Sequence, residues 1–237
     1  MIKLSPRLQI VYNMIPHCGT VADVGCDHGY LSIALLENAK AEKVIAMDVN
    51  KGPLNKAKEN VMAAGYKDTC QLRLSDGLAK LEPGEADVIC ICGMGGVLIE
   101  RIIKNGLATA KAADCLIIEP QSEYYQLRKS LMDEGFVIED EDLVSEENKI
   151  YPIIKISYRQ DQSERVNYTD AQLEYGPKVI EKKPELLIKL LNKNESEYSG
   201  ILNKLEKGEA SGKPATVKRC QELRTQLDII NQIKNSL

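Results

Sequence analysis

Through Tyr158 the chain alternates short, continuous apolar runs with longer stretches whose apolar residues recur every three or four positions. The first pattern is that of strands buried on both faces, the second that of amphipathic helices. Strands are expected over 21–25, 43–48, 70–74, 86–92 and 115–119, and helices over 7–15, 30–38, 53–64, 97–104 and 123–134. Ser5-Pro6 reads as a helix cap followed by proline at the first helical position, and Pro16 and Gly19 end that helix. Strands alternating with helices indicate an α/β fold with a parallel, doubly wound sheet. Two last strands, 136–140 and 150–158, have no helix between them and should add an antiparallel pair, joined by an acidic stretch over 141–149.

Beyond Tyr158 the pattern changes. Pro184 opens a run with Leu187, Leu191, Asn194, Tyr198, Ile201 and Leu205 at helical spacing, and Val217, Cys220, Leu223, Leu227 and Ile230 repeat it. A turn over 207–214 separates the runs, so two long amphipathic helices should form an antiparallel hairpin. Asn194 interrupts the seam and would fix its register. Gly176-Pro177 breaks the segment 169–183 into shorter helical pieces. The expected division is a domain over 1–160 and a hairpin over 161–237.

The 43% hydrophobic fraction over 237 residues supports one large domain or a domain with an appendage. With one Phe and no Trp the core is aliphatic, and base stacking would fall to Tyr. A net charge of −4 argues against a generally basic nucleic-acid coat, but the charge is uneven. Fourteen basic and 12 acidic residues lie from Arg159 onward, against 17 and 23 before it. Such asymmetry permits a polyanion-binding appendage. The seven Cys include no C-x-x-C pair, so neither a zinc site nor a disulfide framework is expected. Reduced thiols, no signal peptide and no long apolar run lead to the expectation of a cytoplasmic protein with no metal and no membrane partner.

Candidate chemistry gathers at the carboxyl ends of the strands, where an open parallel sheet binds ligands. Val21-Ala22-Asp23-Val24-Gly25-Cys26-Asp27-His28-Gly29-Tyr30-Leu31 reads as a strand, a tight turn and a helix start. Free N–H groups at that helix start, and glycines beside them, let a ligand approach the backbone. A dinucleotide fingerprint would need glycine at Asp27 and at Tyr30, and an acid in the turn repels a pyrophosphate. It suits a cation. S-adenosylmethionine carries a sulfonium and an ammonium, and the D-x-G-x-x-x-G from Asp23 to Gly29 resembles the first motif of class I methyltransferases. Asp23, Gly25, Cys26, Asp27, His28 and Gly29 are thus candidate cofactor contacts, joined by Asp48-Val49-Asn50, Ser75-Asp76-Gly77 and Gly93-Met94-Gly95 at the other strand ends. Asp48 suits the ribose hydroxyls, Asp76 the adenine amino group, and Asp27 the methionyl ammonium or the sulfonium. An acid closing a strand is often only a turn residue, but four of them at one sheet edge make a set. Taken alone, His28 is a turn residue, and Cys90 and Cys92 are packing residues. Tyr125-x-x-x-Lys129 matches the catalytic pair of short-chain, NAD-linked dehydrogenases, though such matches are frequent on helices and the first turn lacks the dinucleotide glycines.

Leu4-Ser5-Pro6-Arg7-Leu8, the Asp23–Leu31 turn, Ile91-Cys92-Gly93-Met94-Gly95-Gly96, Ile118-Glu119-Pro120-Gln121 and the terminal hairpin together resemble the bacterial TrmK family. That family comprises tRNA adenine-N1 methyltransferases acting on adenosine 22, and the resemblance covers essentially the whole chain. It implies a class I (Rossmann-like) methyltransferase sheet that binds S-adenosylmethionine, and a C-terminal α-helical antiparallel coiled-coil hairpin that helps hold tRNA. Gly93-Met94-Gly95-Gly96 stands where many amino-directed nucleic-acid methyltransferases carry Asn/Asp-Pro-Pro-aromatic, so roles toward the target base do not transfer from them. Adenine N1 has a free lone pair and needs no deprotonation before attack. Asp27 is therefore a candidate catalytic residue only in favouring a base that becomes cationic. Tyr30 is a candidate to face the base, and Arg7, Lys3, Lys189, Lys193, Lys213 and Lys218 are candidate phosphate contacts. The alternative is a class I methyltransferase acting on a small molecule, with the hairpin used for dimerisation; otherwise a monomer is expected.

Overall fold

The computed structural model describes residues 2–161, 166–208 and 212–237. The chain divides into two compact units, Met1–Asn167 and Tyr168–Leu237.

In the first unit, α1 (Pro6–Met14) precedes β1 (Cys18–Val24), α2 (Tyr30–Glu37), β2 (Ala41–Asp48), α3 (Lys51–Ala63) and β3 (Cys70–Leu74). Then follow β4 (Val88–Met94), α4 (Gly96–Asn105), α5 (Leu107–Ala112), β5 (Cys115–Pro120), α6 (Tyr124–Asp133), β6 (Phe136–Glu146) and β7 (Lys149–Tyr158). Among the described residues, seven strands form one sheet in the order β3-β2-β1-β4-β5-β7-β6. β7 runs antiparallel between β5 and β6, and the other neighbours are parallel. The strand order reverses between β1 and β4, with Val24 level with Met47 on one side and Ile91 on the other. That alignment brings the ends of β1, β2 and β4 to one edge, at the place where an open sheet splits to receive a ligand.

The core is aliphatic. Ile89, Ile91, Leu116, Ile117 and Ile118 on the central strands, and Leu35 and Ile99 on the helices, are fully buried. Each such side chain contributes about 1.5–3 kcal/mol through burial, so the central strands are rigid supports for the loops at their ends. α1 begins as expected, with Ser5 Oγ accepting from Leu8 N–H.

Two expectations change. The short α5 after Gly106 was not expected, because six residues show too little periodicity to be read as a helix. The acidic stretch 141–149 is mostly strand, not a loop: β6 pairs with β7 as far as Glu146 opposite Lys149. The turn is only Glu147-Asn148, both with positive φ (48° and 63°), as a two-residue hairpin demands. Glu141, the most misleading of these acids, is fully buried and accepts from Arg128 Nε at 2.8 Å.

The second unit holds α7 (Asp170–Tyr175), α8 (Pro177–Lys182), α9 (Glu185–Lys207) and α10 (Pro214–Ser236). Thr169 and Gln172 make a capping box at α7. α9 and α10 pair antiparallel: Glu206 meets Arg224 and Glu195 meets Lys234, each at 2.7 Å. Leu187, Leu191, Cys220, Leu223 and Ile230 are buried as the spacing implied, joined by Ile229 and Ile233. Val217 is not part of this seam; it is 54% exposed, one turn from the start of α10. Asn194 donates to the Tyr175 hydroxyl at 3.2 Å, so its polar partner comes from α7. The centre of the expected turn, 209–211, lies outside the described residues.

Candidate active site

The turn after β1 is wound so tightly that side chains are excluded from part of it. Gly25, Asp27 and Gly29 all have positive φ (77°, 48° and 72°). Gly25 N–H and Cys26 N–H both donate to Met47 O, and Gly29 N–H donates to Cys26 O at 2.7 Å. A Cβ at Gly25 would collide with the Met94 methyl, and one at Gly29 would press on Ala57 of α3. Asn60 Nδ2 holds the His28 carbonyl at 2.9 Å. The His28 ring lies against Tyr30, with centroids 5.5 Å apart and planes 20° from parallel, and its Nε2 is 3.6 Å from Asp27 Oδ1.

The neighbouring strand ends complete the edge. Asp48 is nearly buried, and its Oδ1 accepts from Asn50 N–H at 2.8 Å. Val49 is 58% exposed beside it, an apolar side chain held in the open. After β3, Ser75 Oγ donates to Gly77 O and accepts from Lys80 N–H, which fixes the loop that presents Asp76. Gly93, at φ 74°, turns the end of β4 toward α4.

Two clefts open here and share Arg7, Gly25, Asp27, Cys92 and Gly93. The larger, about 600 Å³, is lined also by Asp48, Val49, Asn50, Ser75, Asp76, Gly77 and Met94. The smaller, about 180 Å³, is lined by Asp23, Cys26, His28, Tyr30 and Glu119 together with Ser5 and Leu8 of the N-terminal segment. Of the expected cofactor contacts, Gly29 and Gly95 line neither; Gly29 packs on α3, and Gly95 caps α4. Tyr125 and Lys129 line neither as well, which separates the dehydrogenase-like pair from the site.

The smaller cleft concentrates desolvated charge. Asp23 is buried and accepts from Ser32 Oγ at 2.6 Å; burial pushes its pKa up to about 6 even so. Glu119 is also raised, chiefly by burial, although Gly93 N–H (2.6 Å) and Arg7 Nη1 (3.4 Å) both donate to it. Burial works to lower Arg7, but Glu146 and Glu119 outweigh it and hold the guanidinium charged. Arg7 is thus committed to two carboxylates, with the Tyr151 ring 4.9 Å away, and is not a free phosphate contact. Burial raises the Cys26 and Cys92 thiols, so neither is a thiolate nucleophile at neutral pH.

On the second unit, Lys189 pairs with Glu185 at 3.5 Å, Lys193 is also partnered, and Lys213 and Lys218 are exposed. Sequence reading missed Glu119, Gln121 and Arg101 as cleft residues. Glu119 and Gln121 stand in a strand end, Ile118-Glu119-Pro120-Gln121, that could have been treated like the other four. Among the described residues, no group of three His, Cys, Asp or Glu side chains could hold a metal ion. No helix there is long and apolar enough to cross a membrane.

An open sheet split at its order reversal, glycine turns that leave backbone bare, and acids at the carboxyl ends of β1, β2 and β3 define a Rossmann-like protein for an adenosine-bearing cofactor. The lining fits S-adenosylmethionine: a carboxylate at Asp48, bare backbone at Gly25 and Gly93, and a carboxylate at Asp27 where the clefts meet.

Comparison with known proteins narrows the class. A profile described as a methyltransferase domain matches residues 4–154. The tRNA (adenine(22)-N(1))-methyltransferase of Bacillus subtilis is 37% identical over 153 residues, which is 65% of this chain and 64% of that protein. The crystal structure of the B. subtilis m1A22 tRNA methyltransferase TrmK superposes with a TM-score of 0.88 at 28% identity, covering 98% of this chain and 99% of that one. Streptococcus pneumoniae Sp1610, a candidate tRNA (m1A22) methyltransferase, aligns at 30% identity and a TM-score of 0.84 over 95% of this chain and 100% of its own. In a second crystal, in complex with S-adenosyl-L-methionine, Sp1610 gives 0.85 at 29% identity over 98% and 99%. The chain belongs to the methyltransferase-domain family, in its TrmK branch of tRNA (m1A22) methyltransferases.

Proposed function

We infer that this protein transfers a methyl group from S-adenosylmethionine to N1 of adenosine 22 in tRNA. The observation that carries the reading is the pair of clefts that meet at Gly25, Asp27 and Gly93, one edged by ribose- and adenine-type acceptors, the other by an aromatic pair and buried charge. The cofactor, when bound, supplies an electrophilic methyl group on a sulfonium sulfur.

The chain's own residues hold and orient. Asp48 accepts from the ribose hydroxyls, Asp76 from the adenine amino group, and Val49 covers the adenine face. The backbone at Gly25, Cys26 and Gly93 borders the methionyl portion, and Asp27 offsets its positive charge. The stacked His28 and Tyr30 rings offer a flat surface to the target base. N1 lies on the pairing edge, so the adenosine must leave its stack to reach it. N1 is neutral and carries its lone pair at pH 7, so no side chain has to remove a proton first. In-line positioning can supply about 7–11 kcal/mol of such a barrier. Asp27 also favours the base as it becomes cationic. The hairpin lysines Lys213 and Lys218, with Lys189 and Lys193, contact tRNA phosphates. The protein acts as a monomer in the cytoplasm.

The test is mass spectrometry of nucleosides from unmodified tRNA incubated with the protein and S-adenosylmethionine. The expected product is 1-methyladenosine, absent when adenosine 22 is replaced by guanosine. No methylated nucleoside across several adenosine-22 tRNAs, with cofactor binding demonstrated, overturns the reading.

A further inference from the structure

We propose that Glu119 recognises the target base as adenine, its carboxylate accepting a hydrogen bond from the 6-amino group. This rests on the reading of the smaller cleft as the base pocket. Glu119 closes β5 and lines that cleft, yet is only 2% exposed. Oε2 accepts from Gly93 N–H at 2.6 Å, whereas Oε1 has only the long 3.4 Å approach of Arg7 Nη1 and so keeps acceptor capacity. Burial raises the Glu119 carboxyl despite both donors, so a further N–H donor would stabilise its ionised form.

The other oxygen acceptors of the cleft serve less well. Asp23 is held by Ser32, and Ser5 Oγ caps α1. The Asp27 side chain is 70% exposed, where water competes for every donor. A buried acceptor, by contrast, discriminates strongly, because a base lacking the donor leaves it unpaired.

The contact also changes strength during the reaction. The N1 lone pair forms the new bond to the methyl carbon, and the electron pair of the broken carbon–sulfur bond stays on sulfur. The base takes up one positive charge, which spreads onto its 6-amino group. The N–H donor then meets the carboxylate more strongly in the transition state than in the ground state, so the effect falls on kcat. A 6-oxo base would set oxygen against the carboxylate and carries a proton on N1.

The experiment compares wild type with Glu119→Gln on tRNA bearing either adenosine or purine riboside at position 22. Purine riboside keeps N1 and lacks the 6-amino group; its weaker nucleophilicity slows both enzymes alike and cancels in the ratio of ratios. Gln retains a carbonyl for Gly93 N–H and presents an amide NH2 in place of the free acceptor. The expected result is a wild-type preference for adenosine in kcat/KM that shrinks roughly tenfold or more in the variant. An unchanged preference, with both substrates slowed equally, overturns the inference and leaves Glu119 as a support for the Gly93 turn. No methylation of the adenosine tRNA by wild type would overturn the functional reading itself, and this inference with it. Thermal unfolding and calorimetric affinity for S-adenosylmethionine check that the variant is folded. If it is not, Glu119→Asp, its carboxylate withdrawn by one methylene, is read by the same ratio, with a smaller loss of preference expected and an unchanged one again overturning the inference.

Discussion

In the larger cleft Asp48, Asn50, Ser75 and Asp76 stand at the carboxyl ends of β2 and β3 or in the turns after them, so each lies within a few residues of the strand that places it. The smaller cleft adds to Asp23 and Asp27 the charge of Arg7 and Glu119, and Arg7 reaches Glu119, and Glu146 behind it, across 112 and 139 residues of chain. Solvation differs in the same sense. Asp76 and Val49 of the larger cleft stand open to water and Asp48 beside them is nearly buried, whereas Asp23 and Glu119 are buried deeper still. A nucleoside can be held by acceptors that water also reaches, since affinity is all that is required. Choosing one base over another needs desolvated acceptors, and Arg7 is the cation that compensates the desolvated Glu119.

That contrast can be broken by mutation, with the largest effect at its centre. Arg7→Ala leaves Glu119 and Glu146 without their cation and should lower unfolding free energy by about 3 kcal/mol in urea titration. Methyl transfer should fall while calorimetric affinity for S-adenosylmethionine stays within about threefold. A matching loss of cofactor affinity would erase the distinction between the clefts.

Asp23 sharpens it through pH. Its folded pKa of about 6 exceeds the ordinary 3.8, so the folded state binds more protons between those values. Its contribution to stability is therefore greatest at low pH, is lost as pH rises from 4 to 6, and costs on the order of 2–3 kcal/mol at pH 7. Asp23→Asn should gain on wild type by that amount between pH 4 and pH 7 in denaturant titrations. Parallel curves would mean that Asp23 is better solvated than its burial implies.

In the larger cleft the effect moves from stability to binding. Asp48→Ala should weaken S-adenosylmethionine binding by roughly 10- to 30-fold, with the unfolding free energy of the cofactor-free protein within about 1 kcal/mol of wild type. The smallest effect belongs to neither cleft. Replacing Lys213 and Lys218 together by Ala should leave kcat and cofactor affinity unchanged. The KM for tRNA should rise about two- to threefold, and the salt slope of tRNA binding should become shallower by roughly one to two.

The same contrast governs what could be read from residues alone. Asp48, Asp76 and the glycine turn after β1 were legible because each follows an apolar run and carries a local signature. Arg7 was singled out, but as a phosphate contact, because nothing near it in sequence reveals the two acids that hold it. Glu119 went unassigned although it too ends a strand. Its importance comes from Gly93 N–H on β4 and from Arg7 on α1. The 141–149 stretch was misread for a related reason: Glu141 is tolerable in a strand only because Arg128 is buried beside it.

Apart from the short α5 and the reach of the β6–β7 hairpin, the order of strands and helices, the parallel sheet and the paired terminal helices followed from the sequence by itself, because period and punctuation are local properties of a chain. Glycine at 25 and 93 belongs with them, since φ of 77° and 74° there is a demand that only the residue itself can meet cheaply. What tertiary structure alone decided was which acids are buried, which cation each one meets, and which strand ends share a cleft. Burial and ion pairing depend on residues a hundred or more positions apart coming together, and no local pattern records the distance between them.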